Sequence, residues 1–136
     1  MTENGSVRIA RVSSAGRRPS AESYPAAASP RMPANSIFIG EVEAQTVIDE
    51  GSRDLRLIEV TFKRGARNKL HTHTTDQILV ITEGQGIVAT RDEQVPVEAG
   101  DVAFIPAGEP HWHGARPGED MTHWSMTGQG RTEIVE

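Results

Sequence analysis

HTHTTDQILVITEGQG, residues 71–86, decides how this chain folds. Side chains alternate between two faces of an extended strand, so His71 and His73 share a face while Thr72 turns away. TTD then reads as a tight turn or bulge, after which Gln77 opens a second strand with Leu79 and Ile81 on its own side. At TEGQG the glycines read as a hairpin turn leading into a further strand from Gly86.

The same texture continues outward. From position 36 onward, short runs rich in Val, Ile, Thr and Phe alternate with turn residues, which predicts strands near 37–48, 54–62, 69–73, 77–83, 86–92, 93–98, 102–105, 109–115, 121–127 and 131–135. No stretch of about ten residues carries the helical period. The expected fold is therefore all-β, a small antiparallel sandwich or barrel, and the 13 Gly and 8 Pro suit its many turns. A length of 136 residues allows one domain. Residues 1–34 differ, being rich in Ser, Ala, Pro and Arg without apolar periodicity. They are expected to form a flexible arm, or one exchanged between subunits, leaving 35–136 as the folded domain.

Composition removes several classes of function. There is no cysteine, so any metal is held by nitrogen and oxygen donors. A net charge of −5 without a cationic cluster argues against nucleic acid, and no apolar run is long enough for a bilayer or a secretory leader. The expectation is a cytoplasmic protein acting on a small molecule. Ile78, Val80 and Val88 share a parity that faces away from the histidines, and predict a homodimer.

All five histidines fall between positions 71 and 123. His111 and His113 repeat the pattern of His71 and His73, so two His-X-His strands can converge on one interior, with Gln77 adding an amide oxygen. Such donors suit one divalent transition ion. His113 is read as supporting His111 or meeting the substrate, because four donors are already present. Ile58, Val60 and Phe62 share the inner face of one strand and are expected to line a pocket with His113 and Thr127, while Trp112 and Trp124 have the outward parity.

These spacings resemble a known family. Gly65, His71, His73, Gln77 and Gly84 are placed as in the first cupin motif, with Gln77 where most cupins have glutamate. Gly100, Pro106, Gly108 and His111 are placed as in the second, with Ala115 replacing the usual asparagine. The resemblance covers roughly 36–128. It implies a cupin barrel (a double-stranded β-helix or jelly roll) with His71, His73, Gln77 and His111 as metal ligands. HTHxxxQ, HWHGA and MTH are similar to a bacterial branch of single-domain cupins that includes manganese-dependent hydroxynitrile lyases. That similarity implies manganese as the favoured ion, ahead of Fe, Ni, Co or Zn, and His123 as the catalytic base. Ile58, Asn68 and Thr127 stand at positions that shape the pocket in that branch, so the substrate stays open.

The amide at position 77 bears on the chemistry. Three neutral imidazoles and an amide leave a divalent site near about +2, where a carboxylate would leave about +1. The more electrophilic centre favours binding an alkoxide, enolate or cyanide over electron donation to dioxygen. The leading expectation is a metal-dependent lyase; a non-haem Fe(II) dioxygenase and a non-catalytic small-molecule-binding cupin are the alternatives.

Overall fold

The computed structural model describes residues 7–20 and 36–136. A 3-10 turn at Ser14–Gly16 leads into β1 (Arg18–Pro19), followed by β2 (Phe38–Ile39), β3 (Val42–Ile48), β4 (Leu55–Phe62), β5 (Arg67–Asn68) and β6 (His71–His73). Then come β7 (Gln77–Ala89), β8 (Gln94–Glu98), β9 (Val102–Ile105), β10 (Trp112–Ala115), β11 (Met121–Gly128) and β12 (Thr132–Ile134). These named strands pair antiparallel throughout. Among the described residues no helix is long and apolar enough to cross a membrane.

The long strand β7 belongs to two sheets. Its first part pairs with β11 and β9, and its last part with β10 and β8. The sheet consequently runs β1-β3-β4-β11-β7-β10-β5-β2, curling into a barrel, while β6 and β12 form a separate pair beside it. The hairpin expected at TEGQG does not form, because the two halves find separate partners and never pair with each other. Two glycines allow the continuous strand to bend instead. Gly84 sits at φ +77°, where any Cβ would collide with the Asp120 carbonyl, and at Gly86 a Cβ would come within 2.5 Å of the Gly114 oxygen. Gly40, at φ +94°, likewise splits the single strand expected over 37–48 into β2, paired with β5, and β3, paired with β4.

A register shift between Thr122 and His123 accompanies the bend of β7. Beyond it Val88 packs against the core, whereas Ile78 faces outward, so the shared parity read from the sequence is broken between them. Phe104, Ile78 and Met126 lie in one register across β9, β7 and β11 and are all exposed, giving that outer face an apolar rung. The core sits on the opposite face, where Phe62, Leu79, Ile81 and Met121 are almost wholly buried.

Glu59 points away from this core yet is only 5% exposed. The segment before β1 covers it. Arg17 Nε donates to the Glu59 carboxylate at 2.8 Å, Gln45 Nε2 donates at 2.8 Å, and Trp124 Nε1 donates at 3.2 Å from the same outer face. Arg17 also reaches Glu83 at 2.9 Å, and β1 adds its short ladder to β3. Burial pulls the Glu59 carboxyl upward, but the hydrogen bonds from Arg17, Gln45 and Trp124 outweigh it and hold the group below its usual range. The same bond, led by Glu59, raises the already high pKa of Arg17.

Removing one partner of such a pair strands a buried charge. Arg17→Ala is therefore expected to lower unfolding free energy by roughly 3 kcal/mol, and Arg11→Ala, at an exposed position, by less than about 0.5 kcal/mol. Equilibrium urea unfolding of the two variants checks this; equal stability would show that the segment before β1 does not hold the barrel.

Candidate metal centre

Three histidines meet where β6 approaches the start of β10. His71 and His111 form an isolated antiparallel bridge, exchanging backbone hydrogen bonds of 2.9 and 3.0 Å, which sets their side chains beside one another. Their rings are 4.3 Å apart, with His73 at 4.8 Å from His71 and 5.3 Å from His111. One ring nitrogen from each lies within 4.8 Å of the others. The loop between β9 and β10 is tied to the same place: Gly108 N donates to the His73 carbonyl at 2.9 Å and Ala107 N to Asp76 Oδ1 at 2.8 Å. Asp76 thus serves the turn.

Hydrogen bonding fixes which nitrogen faces inward. A backbone carbonyl only accepts, so His71 Nδ1–H donates to Lys69 and His111 Nδ1–H donates to Glu109, the latter at 2.8 Å. Each Nε2 is then an unprotonated lone pair. His73 Nδ1 pairs with Thr132 Oγ1 at 2.9 Å, leaving its Nε2 buried without a hydrogen-bond partner. Burial first, and the neighbouring imidazoles next, push His71 down to about 3 and His73 down to about 4; burial also lowers His111. All three are neutral near pH 7, as metal ligands must be.

Gln77 completes the set. Its Nε2 donates to Ser125 Oγ at 2.8 Å, turning Oε1 toward His111 Nε2 at 3.0 Å. Two lone pairs therefore face each other at hydrogen-bonding distance with no proton between them. A cation shared by both resolves that conflict, so the residues present fit a divalent ion.

Deeper in the barrel, His113 Nδ1 and His123 Nε2 are 3.0 Å apart. Both rings are buried, and burial pushes His123 down to about 4 and His113 well below its ordinary value. Asn68 accepts from the His113 backbone N–H at 2.8 Å and places its amide nitrogen 3.4 Å from the ring. The second ring nitrogen of His123, Nδ1, is buried without a hydrogen-bond partner. Phe62 packs edge-on to His113 and tilted against His123, at 6.0 and 5.4 Å.

A cavity of about 40 Å³ opens over these groups. Ile58, Val60, Phe62, His113, His123 and Thr127, expected to gather there, all line it together with His71, His73 and Gln77. His111 stands behind, against His71 and Gln77. Trp112 and Trp124 lie outside the pocket, Trp112 beneath the Arg67 guanidinium and Trp124 on Glu59. Arg56 and Ser125 also line the pocket and were not anticipated. The signal was available, since each lies two residues along the strand from a residue already read as inward.

An antiparallel barrel with three convergent imidazoles and an inward amide defines a small β-barrel protein built around a candidate metal centre. Residues 58–127 match the cupin domain family (Cupin_2), and the chain belongs to that family. Over 68 residues it is 45% identical to an (R)-mandelonitrile lyase of Granulicella tundricola, covering 49% of this chain and 52% of that one. Over 50 residues it is 38% identical to an acireductone dioxygenase of Geobacillus thermodenitrificans, covering 32% and 28%. The chain thus spans about half the length of the first relative and less of the second. A cupin-like protein of Thermotoga maritima superposes with a TM-score of 0.69 at 33% identity, covering 72% of this chain and 78% of that one.

The donor geometry makes a direct prediction. His71→Ala or His111→Ala should cut bound divalent metal by about tenfold or more, whereas His113→Ala should retain most of it. Elemental analysis of dialysed protein reads the outcome. Full occupancy in His111→Ala would rule out the assignment.

Proposed function

We propose that this protein is a mononuclear metal-dependent enzyme of lyase type, acting on a small hydroxylated or carbonyl compound in the manner of a hydroxynitrile lyase. The observation that carries the reading is the neutral donor set: no carboxylate stands among His71, His73, His111 and Gln77, and Ser125 turns the amide oxygen inward. The bound ion, manganese first and Fe, Ni, Co or Zn as alternatives, supplies electrophilic polarisation of a substrate oxygen. The chain's own residues do the rest. His71, His73 and His111 present lone pairs without first losing a proton. His123 lines the pocket, shares a hydrogen bond of 3.0 Å with His113, and serves as the base. In the cleavage direction the His123 imidazole accepts the hydroxyl proton as the bond between carbinol carbon and leaving group breaks, the leaving group departing with the bonding pair and the carbonyl forming. Addition runs the same transfer backward. Phe62, Val60 and Ile58 keep water from this exchange.

Similarity to the Granulicella lyase, 45% identity over 68 residues, supports this reading. The same proposal includes a cytoplasmic homodimer joined through the apolar rung of Phe104, Ile78 and Met126. The shorter match to acireductone dioxygenases favours oxygen chemistry as the second reading. Oxygen uptake by iron-loaded protein with candidate substrates separates the two.

Gln77→Glu tests the electrophilic centre. One added negative charge in contact with the ion should strengthen metal retention while weakening azide binding and cyanohydrin turnover by about tenfold or more. Unchanged azide affinity and turnover in the fully metallated variant would refute the reading. The pH profile tests the base. His123 works as the neutral imidazole, so kcat/KM should stay level as pH falls through the ordinary histidine range and drop only toward about 4. An acid limb near about 6.5, with metal content constant, would remove His123 from the role.

A further inference from the structure

The inner face of β4, β11 and β7 is graded rung by rung. Strand registers place Phe62, Met121 and Gly84 on one level, then Val60, His123 and Ile81, then Ile58, Ser125 and Leu79, and finally Arg56, Thr127 and Gln77. The first of these levels is closed by fully buried Phe62 and Met121. The last is polar throughout and holds the amide of the metal centre at one end and a guanidinium at the other.

Among the described residues Arg56 is the cation that lines this pocket, and its side chain is 16% exposed. Its Nε lies 3.3 Å from Asp49 Oδ1 as an ion pair but is buried without an aligned hydrogen bond. No described residue accepts a hydrogen bond from its other nitrogens, and Arg56 lines the pocket. A guanidinium held this way is matched best by a carboxylate, which accepts two parallel N–H bonds. Cavity size points the same way. The enclosed volume of about 40 Å³ offers little apolar surface, so affinity there must come from charge.

We propose that Arg56 determines specificity by binding a carboxylate on the substrate, and that the site takes small hydroxy or oxo carboxylates. The carboxylate sits on the Arg56 fork, Thr127 lies between, and the hydroxyl or carbonyl oxygen points to the histidines and Gln77. Arg56 and Gln77 stand two strands apart, about 10 Å between backbones, and their side chains close that gap to the span of a short-chain acid. This inference rests on the reading of the histidine–Gln77 centre as the place where the substrate oxygen binds.

The test is calorimetric titration of the full chain, metal-free and manganese-loaded, with lactate and with lactamide, its neutral counterpart of equal size. Lactate should bind at least about tenfold more tightly than lactamide in both forms. Arg56→Gln should erase the difference while leaving metal content as it was. Arg56→Lys keeps the charge and the Asp49 pairing but not the fork, and should lose about threefold or more of the preference. This second variant decides the matter if the glutamine form does not fold. Equal binding of the two probes by the wild-type chain, a preference that survives in Arg56→Gln, or an undiminished preference in Arg56→Lys overturns the proposal. Metal content separates it from the reading beneath it. A chain that takes up no metal yet keeps an Arg56-dependent preference loses the metal centre and retains the anion site; a metallated chain without the preference loses the anion site alone.

Discussion

The pair of backbone hydrogen bonds between His71 and His111 is the constraint on which the site is built. It joins the two motif regions at two of the candidate metal donors themselves, rather than at neighbours some distance away. Strand β6 is short and would not hold its side chains alone. Fixed by β12 on one side and by this bridge, it presents His71 and His73 to one interior. The β9–β10 loop then hangs from the His73 carbonyl and the Asp76 carboxylate, so the segment carrying His111 has little freedom to move away.

This arrangement is costly for the fold. Five imidazoles crowd one end of a small barrel, and burial holds them uncharged. Two lone pairs oppose each other at His111 and Gln77, and two buried ring nitrogens lack partners. Sites of this kind break local rules of packing and polar satisfaction, which functional centres tolerate because a bound group supplies what the protein withholds. The barrel offsets the cost with the apolar layer beneath, where Phe62 packs on both inner histidines.

Much of the site was legible because strand alternation is a local property. The parity of HTH and HWH, the inward set of Gln77, Leu79 and Ile81, and the pocket face of β4 all follow from counting by twos. Arg56 and Ser125 obey the same count, two residues from Ile58 and Thr127 along their strands. The misreadings have another origin. Whether TEGQG turns back or carries on depends on which strands arrive to pair with it, and those come from distant sequence. The break at Gly40 and the inward packing of Val88 depend on the same non-local choices. Burial of Glu59 on an outward face was invisible for a related reason, since its cover comes from a segment with no apolar pattern of its own.

Because β7 is bonded on both edges along both of its halves, it works as a beam shared by two walls. Sliding one wall past the other would break ladders on both sides of that strand together, so the width between walls is set by the backbone and does not adapt to a visitor. Variation in such a scaffold is forced into side chains projecting from fixed rungs. One substitution on a rung can then exchange a whole class of guests while the ligand spacing stays as it was, which makes this architecture easy to repurpose and hard to deform.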